Sequence, residues 1–329
     1  MGHQRIRQES LRLFPLTLIM SSPLRIGVAG VGAIGQNHAR VLAELPQAEF
    51  TVIYDTDESR AQEIAERYGA QTTSDLEAFA SQIDAATVAT PTITHAEIGK
   101  TLINAGKHVL IEKPITNTVE DARMLVECAQ TKGSILQVGH IERFNPVMRQ
   151  LEGQLSNPRF IEVHRLSPFP QRSMDIGVVL DVMIHDLEIL LHLVKAPLEK
   201  VEAVGVPVLT HREDIANARL VFANGCVANV TASRVSPDKL RKIRVFQEDC
   251  YVSLDYQAQE GMVYRKNGLE IVPEKVEVEK DEPLKLELAS FVECALQGHT
   301  PKVSGQEGTD ALGVALEITR LIEEGQKKA

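Results

Sequence analysis

No stretch of about 20 apolar residues runs through the 329-residue sequence, so it holds no transmembrane span. Positive charge is in deficit. Against 45 Asp and Glu stand 35 Lys and Arg, and the net charge of -10 gives no general attraction to nucleic acid or anionic lipid. Cysteine is scarce too. Cys128, Cys226, Cys250 and Cys294 lie far apart with no paired metal-ligand spacing, so they read as free thiols in a reducing compartment, the cytoplasm, and no metal site is expected. The N-terminus lacks a clean small-residue cleavage pattern. LRLFPLTLIM follows Arg5 and Arg7 as a signal peptide would, but Arg12 and Pro15 interrupt it. Met20, just before the first convincing strand, is read as the natural start, or residues 1–19 as a loose extension.

What is present starts with a strand, RIGVAG, that runs into GVGAIG, with glycines at Gly30, Gly32 and Gly35. The helical pattern QNHARVLAELP and a second strand, EFTVIYD, follow, the latter ending in Asp55. Strand, glycine turn, helix and strand form the context a dinucleotide fingerprint requires. Gly30 would allow the tight turn, Gly32 a close approach of backbone to pyrophosphate, and Gly35 close packing of helix on sheet. Free N–H groups at the helix start suit phosphate. Asp55 is placed to bond ribose hydroxyls and would repel a 2′-phosphate, which favours NAD over NADP.

Strands and helices keep alternating: DAATVAT to Thr90-Pro91, the helix HAEIGKTLINAG, HVLIE to Glu112-Lys113-Pro114, the helix VEDARMLVECAQTKG, then SILQVG to Gly139-His140. This predicts a doubly wound parallel sheet of α/β class, with ligands at the carboxyl ends of the strands. Thr90, Lys113 and His140 should therefore face one crevice with the glycine turn. Expected cofactor contacts are Gly30, Gly32, Ala33, Ile34, Gly35, Asp55, Thr90, Pro91, His95, Glu112 and Lys113. Pro114 biases Lys113 toward an extended backbone. A lysine held there can bind a substrate oxygen or take part in proton transfer; the plainer reading is an exposed strand-end lysine.

Beyond Asn145-Pro146 the pattern shifts to short segments of near period-two alternation, among them RFIEVHRLS, KVEAVGVPV, IANARLVFANG, CVANVTASRV, KIRVFQED and YVSLDY. Asn224-Gly225 is a hairpin signal, and successive hairpins imply a large, mostly antiparallel open sheet in a second, α+β unit. Helices including 181–194 and 284–297 are expected on one face, a subunit contact on the other. The apolar helix LDVMIHDLEILLHL carries Asp181 and His185 four residues apart. Alone it allows an N-cap with a satisfied core histidine, or a catalytic pair. Asp186 falls on another face, and His192 reads as structural.

In this order, GVGAIGQNHA, EKP, GHIERFNP and DVMIHDLEIL resemble the glucose–fructose oxidoreductase/inositol dehydrogenase (Gfo/Idh/MocA) family from Leu24 onward. The resemblance implies a Rossmann domain, a second domain whose open sheet serves oligomerisation, and NAD(P)-linked oxidation or reduction of a sugar or polyol carbon. It makes Lys113, Asp181 and His185 the motif residues, His185 accepting the hydroxyl proton, Asp181 orienting it and Lys113 stabilising negative charge on oxygen; some members give the base role to the lysine. Val182, Met183 and Ile184 stand where many members have small residues, so the local backbone is expected to differ. The organisation that follows is an extension at 1–23, an NAD-binding domain at 24–146, a substrate-binding and oligomerisation domain at 147–303, and a C-terminal helix at 304–329 returning to the first domain.

ERFNP, HRLSPFPQR and MIHDLEILLHL are similar to one branch of the family, the dehydrogenases that act at the 3-position of UDP-N-acetylglucosamine or its uronate. The branch implies a 3-keto product for a partner aminotransferase, a diamino sugar for lipid A or surface polysaccharide, and a homodimer or homotetramer. Arg143, Asn145, Arg165, Arg172 and His185, with His164 nearby, are the expected substrate contacts, because arginine forks suit diphosphate or carboxylate. Inositol, a free sugar, a reducible imine or tetrapyrrole, or a non-catalytic NAD sensor are the alternatives.

Overall fold

The computed structural model describes residues 22–169 and 176–328. Residues 1–21 of the N-terminal extension and Arg172 lie outside these residues. The first sheet contains β1 (Leu24–Ala29), β2 (Ala48–Tyr54), β3 (Gln71–Thr73), β4 (Ala85–Val88), β5 (His108–Glu112) and β6 (Leu136–Gly139). All neighbours are parallel, in the order β3-β2-β1-β4-β5-β6. Helices α1 (Gly35–Glu44), α2 (Glu58–Tyr68), α3 (Leu76–Ser81), α4 (Thr92–Asn104) and α5 (Val119–Lys132) make the crossovers. Their starts follow capping chemistry: the side chains of Asp57, Asp75 and Thr118 accept hydrogen bonds from the backbone N–H three residues on. Strand β4 is buried along its whole length, as a strand covered on both faces must be.

The second sheet has eight strands in the order β14-β13-β12-β11-β7-β10-β9-β8. They are β7 (Phe160–Leu166), β8 (Leu198–Val206), β9 (Ile215–Phe222), β10 (Val227–Ser233), β11 (Leu240–Phe246), β12 (Cys250–Asp255), β13 (Glu260–Asn267) and β14 (Glu270–Val276). Only the β7–β10 pair is parallel. The hairpin expected at Asn224-Gly225 joins β9 to β10, with Gly225 at φ 79°. Burial alternates along β7 and β9, so one face is core and the other open. That period puts Arg165 inward and His164 outward, so His164 does not share the surface expected for it with Arg165.

Helix α6 (Pro146–Gln154) links the sheets, and α7 (Ile184–Val194), α8 (Pro283–Gln297) and α9 (Gly305–Lys328) complete the fold. Helix α8 departs from expectation. Leu284, Leu288, Phe291 and Val292 join the core of Leu24, Ile26 and Val28, so α8 covers the first sheet rather than the second. Helix α9 packs on both layers: Leu312 meets the core around β5 and α5, while Ala311, Ala315, Ile318 and Ile322 meet that of the second sheet. Each large side chain fully buried this way is worth about 1.5–3 kcal/mol, which fixes the second sheet against the carboxyl ends of the first. Among the described residues no helix is long and apolar enough to cross a membrane.

Candidate active site

The glycine turn lies between β1 and α1. Gly30 has φ +85°, and a Cβ on Gly35 would stand 1.8 Å from the carbonyl oxygen of Gly30, so neither position tolerates a side chain without rebuilding the turn. A Cβ on Gly32 would meet no protein atom within 4 Å. No protein atom therefore demands a glycine there, and the space is open to a ligand. Helix α1 has no side-chain N-cap and no acidic residue in its first turn, which leaves its amino end to an anion. Asp55 is held rigidly, with Oδ2 accepting from Val31 N–H at 2.8 Å and Oδ1 from Asp57 N–H at 2.9 Å. Each oxygen keeps a lone pair for a ribose hydroxyl. Ala33 and Ile34 are exposed on the turn. These residues fit a dinucleotide.

Thr90 and Pro91 close the crevice from the end of β4, and a Cβ on Gly30 would touch Thr90 Cγ2 at 2.8 Å. His95 is corrected in kind. It is buried, with Nε2 2.8 Å from the Thr90 carbonyl and Nδ1 3.0 Å from the Pro114 carbonyl, so it ties two loops together and shapes the crevice rather than lining it. Glu112 is also engaged: Oε1 accepts from His38 Nε2 at 3.0 Å and Oε2 from Lys113 N–H at 3.2 Å. It orients the strand end that carries Lys113.

Lys113 is not a loose surface lysine. Its Nζ donates to the Asp181 carbonyl at 2.5 Å and lies 3.2 Å from Asp181 Oδ1. This joins β5 to the start of the α7 helix across 68 residues of sequence. The chain there makes a π turn over Val179–Met183, with Ile184 N–H bonded to the Val179 carbonyl, before α7 begins. This turn carries Val182 and Met183 and ends at Ile184, and such bulges recur at functional sites. Asp181 is therefore not an N-cap, and its relation to His185 is not that of a plain α-helical turn.

His185 packs edge-on against His140, ring centroids 5.8 Å apart at 88°. Its Nδ1 is buried without a hydrogen-bond partner, as are both ring nitrogens of His140. Burial first, then the charges of Lys113 and Arg165, push His185 well below the ordinary histidine value. Burial and Lys113 take His140 down to about 3. Both rings are neutral at neutral pH. His140 lies behind His185 and does not reach the crevice surface.

Three expected substrate contacts are corrected. Arg165 donates Nε and Nη2 to Asp186 at 2.7 and 2.8 Å and Nη1 to Glu142 at 2.7 Å, all within the core. Arg143 is buried against Glu188 at 2.6 Å. Asn145 caps α6 and donates to the Tyr256 carbonyl at 2.9 Å. A buried arginine needs carboxylates: the Arg165 fork is spent on Asp186 and Glu142, while Arg143, 1% exposed, uses Nη1 on Glu188 and keeps a buried Nε without a partner. Asp186, set apart from the pair by its face, is Arg165's partner. Burial works against ionisation of Glu142, and the charges and hydrogen bonds of Arg165 and Arg241 overcome it, leaving the acid below its ordinary range. His192 pairs with Glu152 at 3.2 Å, consistent with its structural reading.

Sequence reading missed His38, Glu142, Arg241 and Glu287. Arg241 also bonds Glu142, at 3.2 Å. Glu287 on α8 is fully buried, both oxygens lack partners, and burial plus the nearby Glu112 charge raise its pKa well above the ordinary value. Only the cluster of basic residues in LRKIRVF, Arg241, Lys242 and Arg244, offered a sequence signal for Arg241.

Comparisons with known proteins bear on the family and the fold. Residues 24–140 match the NAD-binding Rossmann fold of the GFO/IDH/MocA oxidoreductase family, and 148–252 match its C-terminal domain. The chain is 36% identical over 309 residues to UDP-N-acetylglucosamine 3-dehydrogenase of Acidithiobacillus ferrooxidans, covering 91% of this chain and 97% of that one. A solved structure of that enzyme superposes with a TM-score of 0.88 at 34% identity, over 92% of this chain and 99% of the other. The scyllo-inositol 2-dehydrogenase (NAD(+)) of Bacillus subtilis is 27% identical over 93% of this chain and 96% of its own length. Levoglucosan dehydrogenase, solved with NADH and levoglucosan, shares the fold at a TM-score of 0.83 and 20% identity, over 92% of this chain and 98% of its own. With both domain models matched and the glycine turn, Lys113 and His185 brought to one crevice, the chain belongs to the Gfo/Idh/MocA family of NAD-binding oxidoreductases.

Proposed function

We propose that the protein oxidises the 3-hydroxyl of UDP-N-acetylglucosamine to a ketone, with NAD as acceptor. The observation that carries the reading is the joining of Lys113 to Asp181 beside His185, at the strand ends that also hold the glycine turn. The substrate follows the 36% identical relative of that activity. NAD would supply the hydride acceptor, and Gly32, the amino end of α1 and Asp55 are the residues that would hold its pyrophosphate and ribose.

The chain's own residues then have distinct tasks. His185, neutral, accepts the hydroxyl proton as the carbon gives up hydride. The same cation and burial that keep it neutral oppose a lasting imidazolium, so the proton passes from the partly exposed His185 to solvent. Lys113 stabilises the negative charge that develops on oxygen, and Asp181 fixes the ammonium in place through both its carbonyl and its carboxylate. His140 packs edge-on against His185 and so favours one ring orientation.

The product is a 3-keto nucleotide sugar, which an aminotransferase would convert to the amine on the way to lipid A or a surface polysaccharide. Such a reaction belongs in the cytoplasm, where nucleotide sugars and NAD are pooled, and four unpaired cysteines suit that compartment. The open face of the second sheet is proposed to join subunits into a homodimer or homotetramer. Val204, Val206 and Ile215 are exposed there on β8 and β9, and Phe160, Phe246, Tyr251 and Tyr264 form a cross-strand aromatic row. A free polyol is the second reading, favoured by the 27% identical inositol relative.

NADH formation with UDP-N-acetylglucosamine, its uronate, free N-acetylglucosamine and scyllo-inositol separates these. Turnover of nucleotide sugars alone supports the proposal. Turnover of free polyols alone sinks it. Tight NAD binding with no turnover of any would make the protein a sensor.

A further inference from the structure

Arg165 and Arg241 are cross-strand partners on β7 and β11, and both donate to the same oxygen, Glu142 Oε1, at 2.7 and 3.2 Å. Their situations differ. Arg165 is 5% exposed and uses Nε, Nη1 and Nη2 on Asp186 and Glu142. Arg241 is 39% exposed, and only its Nη1 has an acceptor among the described residues. Glu142 thus holds Arg241 by one corner and leaves Nε and Nη2 presented to solvent.

The position of this fork matters. Glu142 lies in the 3-10 turn Ile141–Phe144 that leaves β6 directly after His140. Asp186, the other partner of Arg165, directly follows His185 in the chain. Arg241 is also among the charges that His185 senses, together with Lys113, Arg165 and His140. So a half-exposed guanidinium, braced from behind, stands at the edge of the crevice that contains the proposed base.

We propose that Arg241 binds an oxyanion of the substrate, the diphosphate or a sugar carboxylate, and so selects nucleotide sugars over neutral polyols. The proposal rests on the nucleotide-sugar reading and deepens it. A guanidinium with two free donors on one side matches a phosphate or carboxylate bidentately, which an ammonium cannot do. It also replaces the role that Arg143 and Arg165 cannot fill. Because Glu142 fixes the fork before ligand arrives, little side-chain freedom is lost on binding.

The test compares wild type, Arg241→Gln and Arg241→Lys. Steady-state KM and kcat are measured with UDP-N-acetylglucosamine and with its uronate, together with UDP as inhibitor and NAD affinity by titration. Loss of a charge-assisted pair should raise substrate KM roughly 10- to 100-fold in Arg241→Gln, with NAD affinity unchanged and only partial rescue by lysine. A parallel weakening of UDP inhibition assigns the contact to diphosphate. UDP inhibition unchanged, with the loss confined to the uronate, assigns it to the carboxylate. An unmoved KM for both sugars overturns the proposal, as does a fall in kcat alone, which would mean that Arg241 acts only through His185. Wild type inactive on every nucleotide sugar overturns both this proposal and the reading beneath it; wild type active with an unmoved KM in the variant overturns this proposal alone.

Discussion

Replacing Arg165 with methionine keeps the aliphatic stem and removes the guanidinium. The side chains involved are 5% exposed for Arg165, 1% for Asp186 and 6% for Glu142. Three charge-assisted hydrogen bonds of 2.7 to 2.8 Å disappear together. Glu142 keeps Arg241 at 3.2 Å, so most of the cost falls on Asp186, which is left with no cation in contact. Breaking a buried ion pair from one side costs about 3–5 kcal/mol, a large share of a typical stability of about 5–15 kcal/mol. Burial already holds the Asp186 carboxyl above its ordinary range, so protonation relieves the variant as pH falls, and the deficit relative to wild type should shrink in acid. The sequence has no tryptophan, so urea unfolding is best followed by far-UV circular dichroism. A loss under about 1 kcal/mol, well below the cost of breaking a buried pair, combined with a raised substrate KM would refute the structural role and restore Arg165 as a ligand.

Two further outcomes follow from charge and burial. His185 must be neutral to accept a proton, and its pKa is lowered by burial and by Lys113, Arg165, His140 and Arg241. The acid limb of kcat/KM should therefore lie below pH 6.5, and Lys113→Met, besides slowing turnover, should move that limb to higher pH; a limb that stays put removes Lys113 from the electrostatics of the base. Glu287 has its folded pKa raised above 4.5 by burial and by Glu112, so the stability it allows is full below that value and is lost as pH rises. Glu287→Gln should match wild type in acid and exceed it increasingly toward neutral and alkaline pH, as read by thermal unfolding; a pH-independent difference would contradict a buried, protonated acid.

The first sheet was legible because its signals are local: a glycine turn, period-two and period-3.6 apolar patterns, and polar residues at strand ends. The crevice followed, since parallel alternation fixes which ends of the strands share a side. Lys113 and His185 could be named before the bond of Lys113 to Asp181 and the packing of His185 on His140 were known, because one ends a buried strand and the other lies on an apolar helix. Burial of arginine was not legible. Whether Arg143 or Arg165 faces substrate depends on Glu188, 45 residues on, and on Asp186, 21 residues on, and no local pattern reports such pairing. Arg241 was overlooked for the same reason: Nε and Nη2 are left over only because its Nη1 is held by Glu142, 99 residues away. Helix α8 looked like any amphipathic helix, and its sequence does not say which of two apolar sheets it covers. The π turn over Val179–Met183 was not legible, because the bulk of Val182, Met183 and Ile184 does not fix the form of the backbone.

The central claim is that hydride leaves carbon 3 of a nucleotide sugar beside His185. UDP-N-acetylglucosamine carrying deuterium at carbon 3 tests it directly, with the NADH formed by wild type and by His185→Ala analysed by mass spectrometry. The account predicts deuterated NADH from wild type, and from His185→Ala no turnover with NAD affinity nearly intact. Undeuterated NADH from wild type, or full turnover by the variant, would contradict it.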